Sequence, residues 1–273
     1  MKRFLKILAA IVSVAILWLG WSYVRYIRDD AVRCDTLTLD GDINSDSFVE
    51  ARDCLVRSKA AKKTFVVKQS GGRDGKAALA LGILIHRHHW DVEVVGLCAS
   101  SCANFIFPAG KTKYLHRNSL LLFHGGFYQE NLLEMAEELD QRLALNGAPV
   151  ETVTLGQENK EATISFTPNR SIADQAVLEF LSISDVTSAV EQIGKLRTAS
   201  DQFYQDLDIN PVLSTYGQIG NYESTYKSYK YGGFTYRLDS LRRLGVRNIE
   251  LKEGEWHPER HPDYKDVYEV TYP

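Results

Sequence analysis

Between Thr36 and Phe123 the apolar positions switch repeatedly between a period of two and a period near 3.6. Thr36-Leu-Thr-Leu39 alternates as a half-buried strand does, and Asp40-Gly41-Asp42 turns it. Ser47 to Ala61 reads as an amphipathic helix with Phe48, Cys54 and Leu55 on its apolar side. Thr64-Phe-Val-Val-Lys68 is a β-branched strand that ends at Ser70-Gly71-Gly72. Lys76 to His89 returns to helical spacing through Ala77, Leu81, Leu84 and Ile85. Val92–Val95 is the next strand, Cys98–Cys102 a turn, Ala103–Phe107 a helix and Ser119–Phe123 a buried strand. Strands alternating with helices at short spacing predict an α/β domain with a largely parallel sheet.

Beyond this core the pattern loosens. Leu132–Leu145 is a charged amphipathic helix, and Glu151–Thr154 with Thr163–Phe166 reads as a hairpin. A further helix is expected near Ala173–Phe180. Residues 201–236 hold seven of the fourteen tyrosines, which suit packing at a domain edge better than a recognition surface. The polar tail from Lys252 carries aromatic residues that would pin it to the body. These shifts divide the chain into residues 1–30, a body at 31–251 with its core at 36–126 and an insertion near 127–230, and a tail at 252–273.

Composition changes the picture at the N-terminus. Ile7 to Val24 is an uncharged run of 18 residues. As a helix it would span about 27 Å, close to the hydrocarbon thickness of a bilayer. Trp18, Trp21 and Tyr23 gather at its far end, as interfacial aromatics do. A cleaved signal peptide would show small residues before a cleavage point, whereas Trp-Ser-Tyr-Val-Arg follows here. The expectation is an uncleaved transmembrane helix. Lys2, Arg3 and Lys6 outnumber Arg25 and Arg28, which sets the N-terminus in the cytoplasm and the body outside, in the periplasm.

The formal net charge is −3, but residues 1–28 carry five basic groups and no acid. The remainder holds 27 basic against 35 acidic groups, a balance that argues against a nucleic-acid partner. Four cysteines, Cys34, Cys54, Cys98 and Cys102, form two local pairs, although four allow three connectivities. An exported body permits disulfides. A CxxxC without a second cluster does not make a metal site, and no cofactor is expected.

Three motifs carry the chemistry. Ser70-Gly71-Gly72 offers backbone N–H groups, Cys98-Ala-Ser-Ser-Cys102 places serines where a strand turns into a helix, and Leu122-Phe-His124 ends a strand on a base. An oxyanion hole, a hydroxyl nucleophile and a proton acceptor are the parts of acyl-transfer catalysis. Each motif has a plainer reading: Ser101 as a small turn residue, His124 as a core histidine, Gly71-Gly72 as a turn. Ser100 is the rival nucleophile, and Lys76 or Lys111 could serve a Ser-Lys dyad. His86, His88 and His89 read as a solvated helix end, and His257 and His261 as unrelated surface residues.

Gln69-Ser70-Gly71-Gly72, Ser100-Ser101-Cys102-Ala103 and Phe123-His124 together resemble the proteolytic subunit of the Clp protease and the wider ClpP/crotonase superfamily. The interval of 29 residues from Gly72 to Ser101 is similar to that family's. Leu39-Asp-Gly-Asp-Ile43 resembles its opening strand, and Asp239-Ser-Leu-Arg-Arg-Leu-Gly245 its late helix-and-glycine segment. The resemblance implies a spiral of β-β-α units and a serine peptidase. Ser101 would be the nucleophile, His124 the base, and the N–H groups of Gly72 and Cys102 the oxyanion hole, with Gly71 beside the substrate. It implies a peptide or protein substrate and is compatible with a homo-oligomer, although the insertion replaces the handle by which Clp subunits form rings.

The family's histidine-orienting acid falls here on Gly233. Asp174, Asp201, Asp239 or a polar side chain would have to stand in. Two rival functions follow: an inactive relative kept as a binding or scaffolding module, and crotonase-type acyl-CoA chemistry, which an exported body disfavours.

Overall fold

A computed structural model describes residues 34–129, 137 and 189–273. Its elements are β1 (Thr36–Asp40), α1 (Ser45–Arg57), β2 (Thr64–Ser70), α2 (Gly75–Arg87) and β3 (Asp91–Ala99). A short helix α3 follows, π-wound over Cys102–Ile106 and α-helical over Phe107–Ala109. Then come β4 (Lys113–Leu115), β5 (Leu120–Leu122), α4 (Ala189–Asp206), α5 (Glu223–Lys227), β6 (Gly233–Tyr236), α6 (Leu238–Arg243), β7 (Ile249–Leu251) and β8 (Val267–Val270). The main sheet runs β1-β2-β3-β4-β7, with β5 also on β3, and every pairing in it is parallel. The mixed α/β class and parallel sheet are those expected from the periodicity.

Local chemistry accounts for the boundaries. Asn44 caps α1 with a reciprocal pair of bonds: its Oδ1 accepts from Ser47 N–H, and Ser47 Oγ accepts from Asn44 N–H, both at 2.9 Å. The helix therefore starts two residues earlier than its apolar face suggests. It ends at Arg57, where Ser58 turns extended, so Lys59 to Ala61 lie outside it. Asp74 caps α2 by accepting from Ala77 N–H at 3.0 Å. β3 runs through Cys98 to Ala99, so the expected turn shrinks to Ser100-Ser101.

Both cysteine pairs are disulfides: Cys34–Cys54 ties the start of β1 to α1, and Cys98–Cys102 ties the end of β3 to α3. The core lies between α1 to α3 and the sheet. Trp90 is fully buried there with its Nε1–H donating to Leu55 O at 3.0 Å. Burying one such large side chain stabilises the fold by about 1.5–3 kcal/mol.

β6 and β8 make a separate two-stranded parallel sheet. It joins the body through an antiparallel bridge in which Phe123 and Phe234 exchange N–H···O bonds of 2.7 Å. The tail is pinned by aromatics as expected: Trp256 Nε1–H donates to Ser119 O at 2.7 Å, and β8 pairs β6. The tyrosines mainly pack. Tyr204 and Tyr236 are buried and donate to Asn104 O and Leu213 O, and Tyr229 is 86% exposed. Among the described residues no helix is long and apolar enough to cross a membrane. The Ile7–Val24 segment lies outside the described residues, as do Leu132–Leu145, the expected hairpin, the helix near Ala173–Phe180 and Asp174.

Candidate active site

All three motifs leave the carboxyl ends of adjacent parallel strands, the edge at which open α/β sheets bind ligands. Ser70 pairs with Cys98 across β2 and β3, and Ala99 pairs with Leu122 across β3 and β5. Carried on, those registers set the glycine loop and the His124 segment on either side of Ser100-Ser101.

The contact between the first two motifs is close. A Cβ on Gly72 would lie 2.5 Å from Ala99 O, 2.8 Å from Ser101 N and 2.9 Å from Ser100 Cβ. Gly72 also has φ +82°, so both space and conformation require glycine. Its carbonyl accepts from Ile43 N–H at 2.7 Å, which fixes the loop from behind. Its N–H donates to Ser70 Oγ at 3.2 Å, a long bond that a developing oxyanion could outcompete. Gly71 is hemmed by Asp42, whose Oδ1 would stand 3.0 Å from an added Cβ.

Ser100 takes the strained conformation at the turn, φ +57°, and its N–H donates to Leu122 O at 2.8 Å. Ser101 is the N-cap residue of α3 and is 4% exposed. Its Oγ does not cap the helix and has no hydrogen-bond partner. The hydroxyl is therefore uncommitted and makes no hydrogen bond with His124. Catalytic hydrogen bonds often close only when substrate arrives. Cys102 is the first residue inside the helix, where N–H groups lack intrahelical acceptors and the dipole favours negative charge. Its disulfide to Cys98 closes a loop around the two serines.

His124 follows the Phe123 bridge and is partly buried. That burial pushes its pKa below the ordinary 6.5, with a backbone hydrogen bond at the same residue pulling weakly the other way. No carboxylate contributes to the shift. Gly233 does lie beside it, since a Cβ there would stand 3.2 Å from His124 Cβ and 2.5 Å from Phe123 O. A glycine brings no acid to that position, and an added side chain would meet the Phe123 carbonyl and the Leu122 side chain. Asp201 instead accepts from the Tyr128 hydroxyl, and Asp239 faces Arg237 and Arg243. Lys76 sits in the first turn of α2, its pKa lowered by burial. Lys111 is bonded to Trp90 at the opposite end of β3.

Sequence reasoning missed two side chains. Asn104 Nδ2 donates to Gly125 O at 2.7 Å, and Gln218 Nε2 donates to His124 O at 2.7 Å. Asn104 was visible as the one strongly polar residue in the apolar run from Cys102 to Ala109. Gln218, 94 residues from His124, gave no local signal.

No protein-family model matches the chain, and no curated protein matches it. Among solved structures, the ClpP protease catalytic domain from Plasmodium falciparum is 20% identical, with 33% of this chain and 52% of that chain covered and a TM-score of 0.29. ClpP1 from Listeria monocytogenes is 18% identical, with 41% of this chain and 71% of that chain covered and a TM-score of 0.30. The chain spans about half the length of the Plasmodium domain it matches. Overlaps this partial assign no activity, which has to be argued from the site.

Proposed function

We propose that the chain is a membrane-anchored serine hydrolase of ClpP-like type, acting on peptides or proteins, with its body on the extracytoplasmic side. The observation that carries this reading is the packing of Gly72 against the Ser100-Ser101 turn at the carboxyl edge of the sheet. It sets a loop of backbone donors beside a free, buried hydroxyl at a helix N-terminus. The Ile7–Val24 segment and the two disulfides support the anchor and the export.

In the reaction, Ser101 Oγ forms a bond to the substrate carbonyl carbon while its proton passes to His124. The lowered pKa keeps His124 neutral, and so able to accept that proton, at neutral pH. The carbonyl oxygen takes the negative charge and receives the N–H groups of Gly72 and Cys102. His124 then returns the proton to the leaving amine as the acyl–nitrogen bond breaks, and water repeats the sequence on the acyl-enzyme.

A second reading, a silent relative used for binding, draws on Gly233 and on the missing hydrogen bond between Ser101 Oγ and His124. One experiment divides the two. The full-length chain is treated with a fluorophosphonate and compared with Ser101→Ala and His124→Ala. Labelling of wild type that is lost in both variants supports the hydrolase, and a folded, oxidised wild type that does not label supports the binding module.

A further inference from the structure

Among the described residues His124 has no carboxylate to orient it, and its main chain is held on both sides of Cα. Each of the five consecutive carbonyls from Phe123 to Phe127 accepts a hydrogen bond. The donors are Phe234 N–H at 2.7 Å, Gln218 Nε2 at 2.7 Å, Asn104 Nδ2 at 2.7 Å, Gln129 N–H at 3.0 Å and Arg197 Nε at 2.7 Å, in chain order of the acceptors. Ladder and turn bonds account for the first and fourth. The second and third come from buried neutral amides, with Gln218 7% and Asn104 2% exposed.

Asn104 holds its place at a cost. Its Oδ1 is buried without a partner, and an unsatisfied buried acceptor costs about 1–3 kcal/mol. An aliphatic residue would avoid that among neighbours as apolar as Ala103, Phe105 and Ile106. What the amide supplies is the donor to Gly125. Because Asn104 stands three residues after Ser101, on the helix Ser101 caps, that bond ties the nucleophile turn to the histidine segment. Gln218 acts from the other side. It also packs where Gly125, at φ +110°, would carry a Cβ, 2.9 Å from Gln218 Nε2.

We propose that Asn104 and Gln218 are positioning residues, whose amide donors pin the carbonyls of Gly125 and His124 and so fix the main chain from which the imidazole works on Ser101. This rests on the Ser101–His124 reading above. With the backbone fixed on both sides of Cα, the ring keeps only its own two torsions. Misplacement of a reacting group by about 1 Å is enough to cost on the order of 10²-fold in rate.

The test uses the full-length chain and two readouts. The first is fluorophosphonate labelling at Ser101, resolved into maximal rate and half-saturating concentration. The second is the imidazole ¹⁵N resonances of His124, which report its tautomer. Asn104→Leu and Gln218→Leu should each lower the maximal rate about ten- to a hundredfold with half-saturation unchanged. They should also shift and broaden the His124 imidazole resonances, because the ring is carried on a main chain no longer held in one place. A purely structural loss would reduce the fraction of chain that labels and leave the rate per site intact, which would overturn the proposal. So would wild-type rates and unchanged resonances in folded variants. Where a leucine variant fails to fold, Asn104→Ala and Gln218→Met remove the donor without adding bulk and carry the same expectations. If wild type does not label, the hydrolase reading falls, and the His124 resonances alone support or overturn the positioning role.

Discussion

The two disulfides stand in opposite situations. Cys34–Cys54 joins residues 20 apart and ties the chain just before β1, at the edge of the sheet, to α1. Cys98–Cys102 joins residues four apart and encloses Ser100 and Ser101. If a disulfide acts mainly by constraining the unfolded chain, the longer loop is worth about 3 kcal/mol and the shorter about 2 kcal/mol. The shorter bond is thus the weaker staple, but it sits where the backbone must hold one shape. The comparison separates two expected roles: the longer loop contributes more stability, while the shorter one also constrains the turn that carries Ser100 and Ser101.

The largest expected effect comes from breaking the site side without touching either bond. Gly72→Ala puts a methyl 2.5 Å from Ala99 O at φ +82°, so the loop must move away from Ser101. Loss of one oxyanion donor typically lowers the rate about 10²–10³-fold. We expect a fall of that order in the rate of fluorophosphonate labelling with little change in the labelled fraction.

Next come the disulfides themselves. Cys34→Ser with Cys54→Ser should lower unfolding free energy in urea by about 3 kcal/mol and leave the labelling rate alone. Cys98→Ser with Cys102→Ser should lower it by about 2 kcal/mol and slow labelling as well. Equal effects of the two pairs on rate would dissolve the distinction drawn between them.

A smaller effect is the pH dependence. The folded pKa of His124 lies below 6.5, so the neutral base persists to lower pH than in a free histidine. Labelling should rise with pH along a limb set below 6.5 and then level off. The same shift has a stability sign: the unfolded chain binds the proton more readily, so stability falls as pH drops through 6.5 and toward the folded value. A limb above 6.5 would point to Lys76 or another base.

How much of this was legible in sequence depends on the range of the interaction. β1, α1, β2, α2 and β3 each declared themselves through local periodicity. The contact of Gly72 with Ser101 was legible too, since each motif ends a strand and parallel strands bring such ends together. β4, with Lys113 buried and hydrogen-bonded to Gly110 O, broke the apolar pattern and went unread. Among the described residues β6 and β8 pair with each other and with Phe123 alone, far from the periodic core, and they went unread. The positioning of His124 was least visible. Five acceptors on one stretch of backbone are met from β6, α3, α4 and residues 129 and 218, and acceptors on the main chain leave no trace in residue type.

The smallest effect tests the comparison most narrowly, because α1 belongs to both sides of it. Its body carries Cys54, while the residue before its cap reaches the site: Ile43 N–H donates to Gly72 O at 2.7 Å, and Ile43 O accepts from Asp74 N–H at 3.2 Å. Asn44→Ala removes the acceptor of Ser47 N–H, leaves the bond from the residue 44 N–H to Ser47 Oγ in place, and should cost about 1 kcal/mol of stability. The two bonds of Ile43 are main-chain bonds that do not need the Asn44 side chain. Labelling at Ser101 should therefore proceed at the wild-type rate while the urea midpoint falls. A slower rate in that variant would mean that the start of α1 holds the oxyanion loop in shape, and that stability and site geometry meet at Ile43 rather than dividing between the two disulfides.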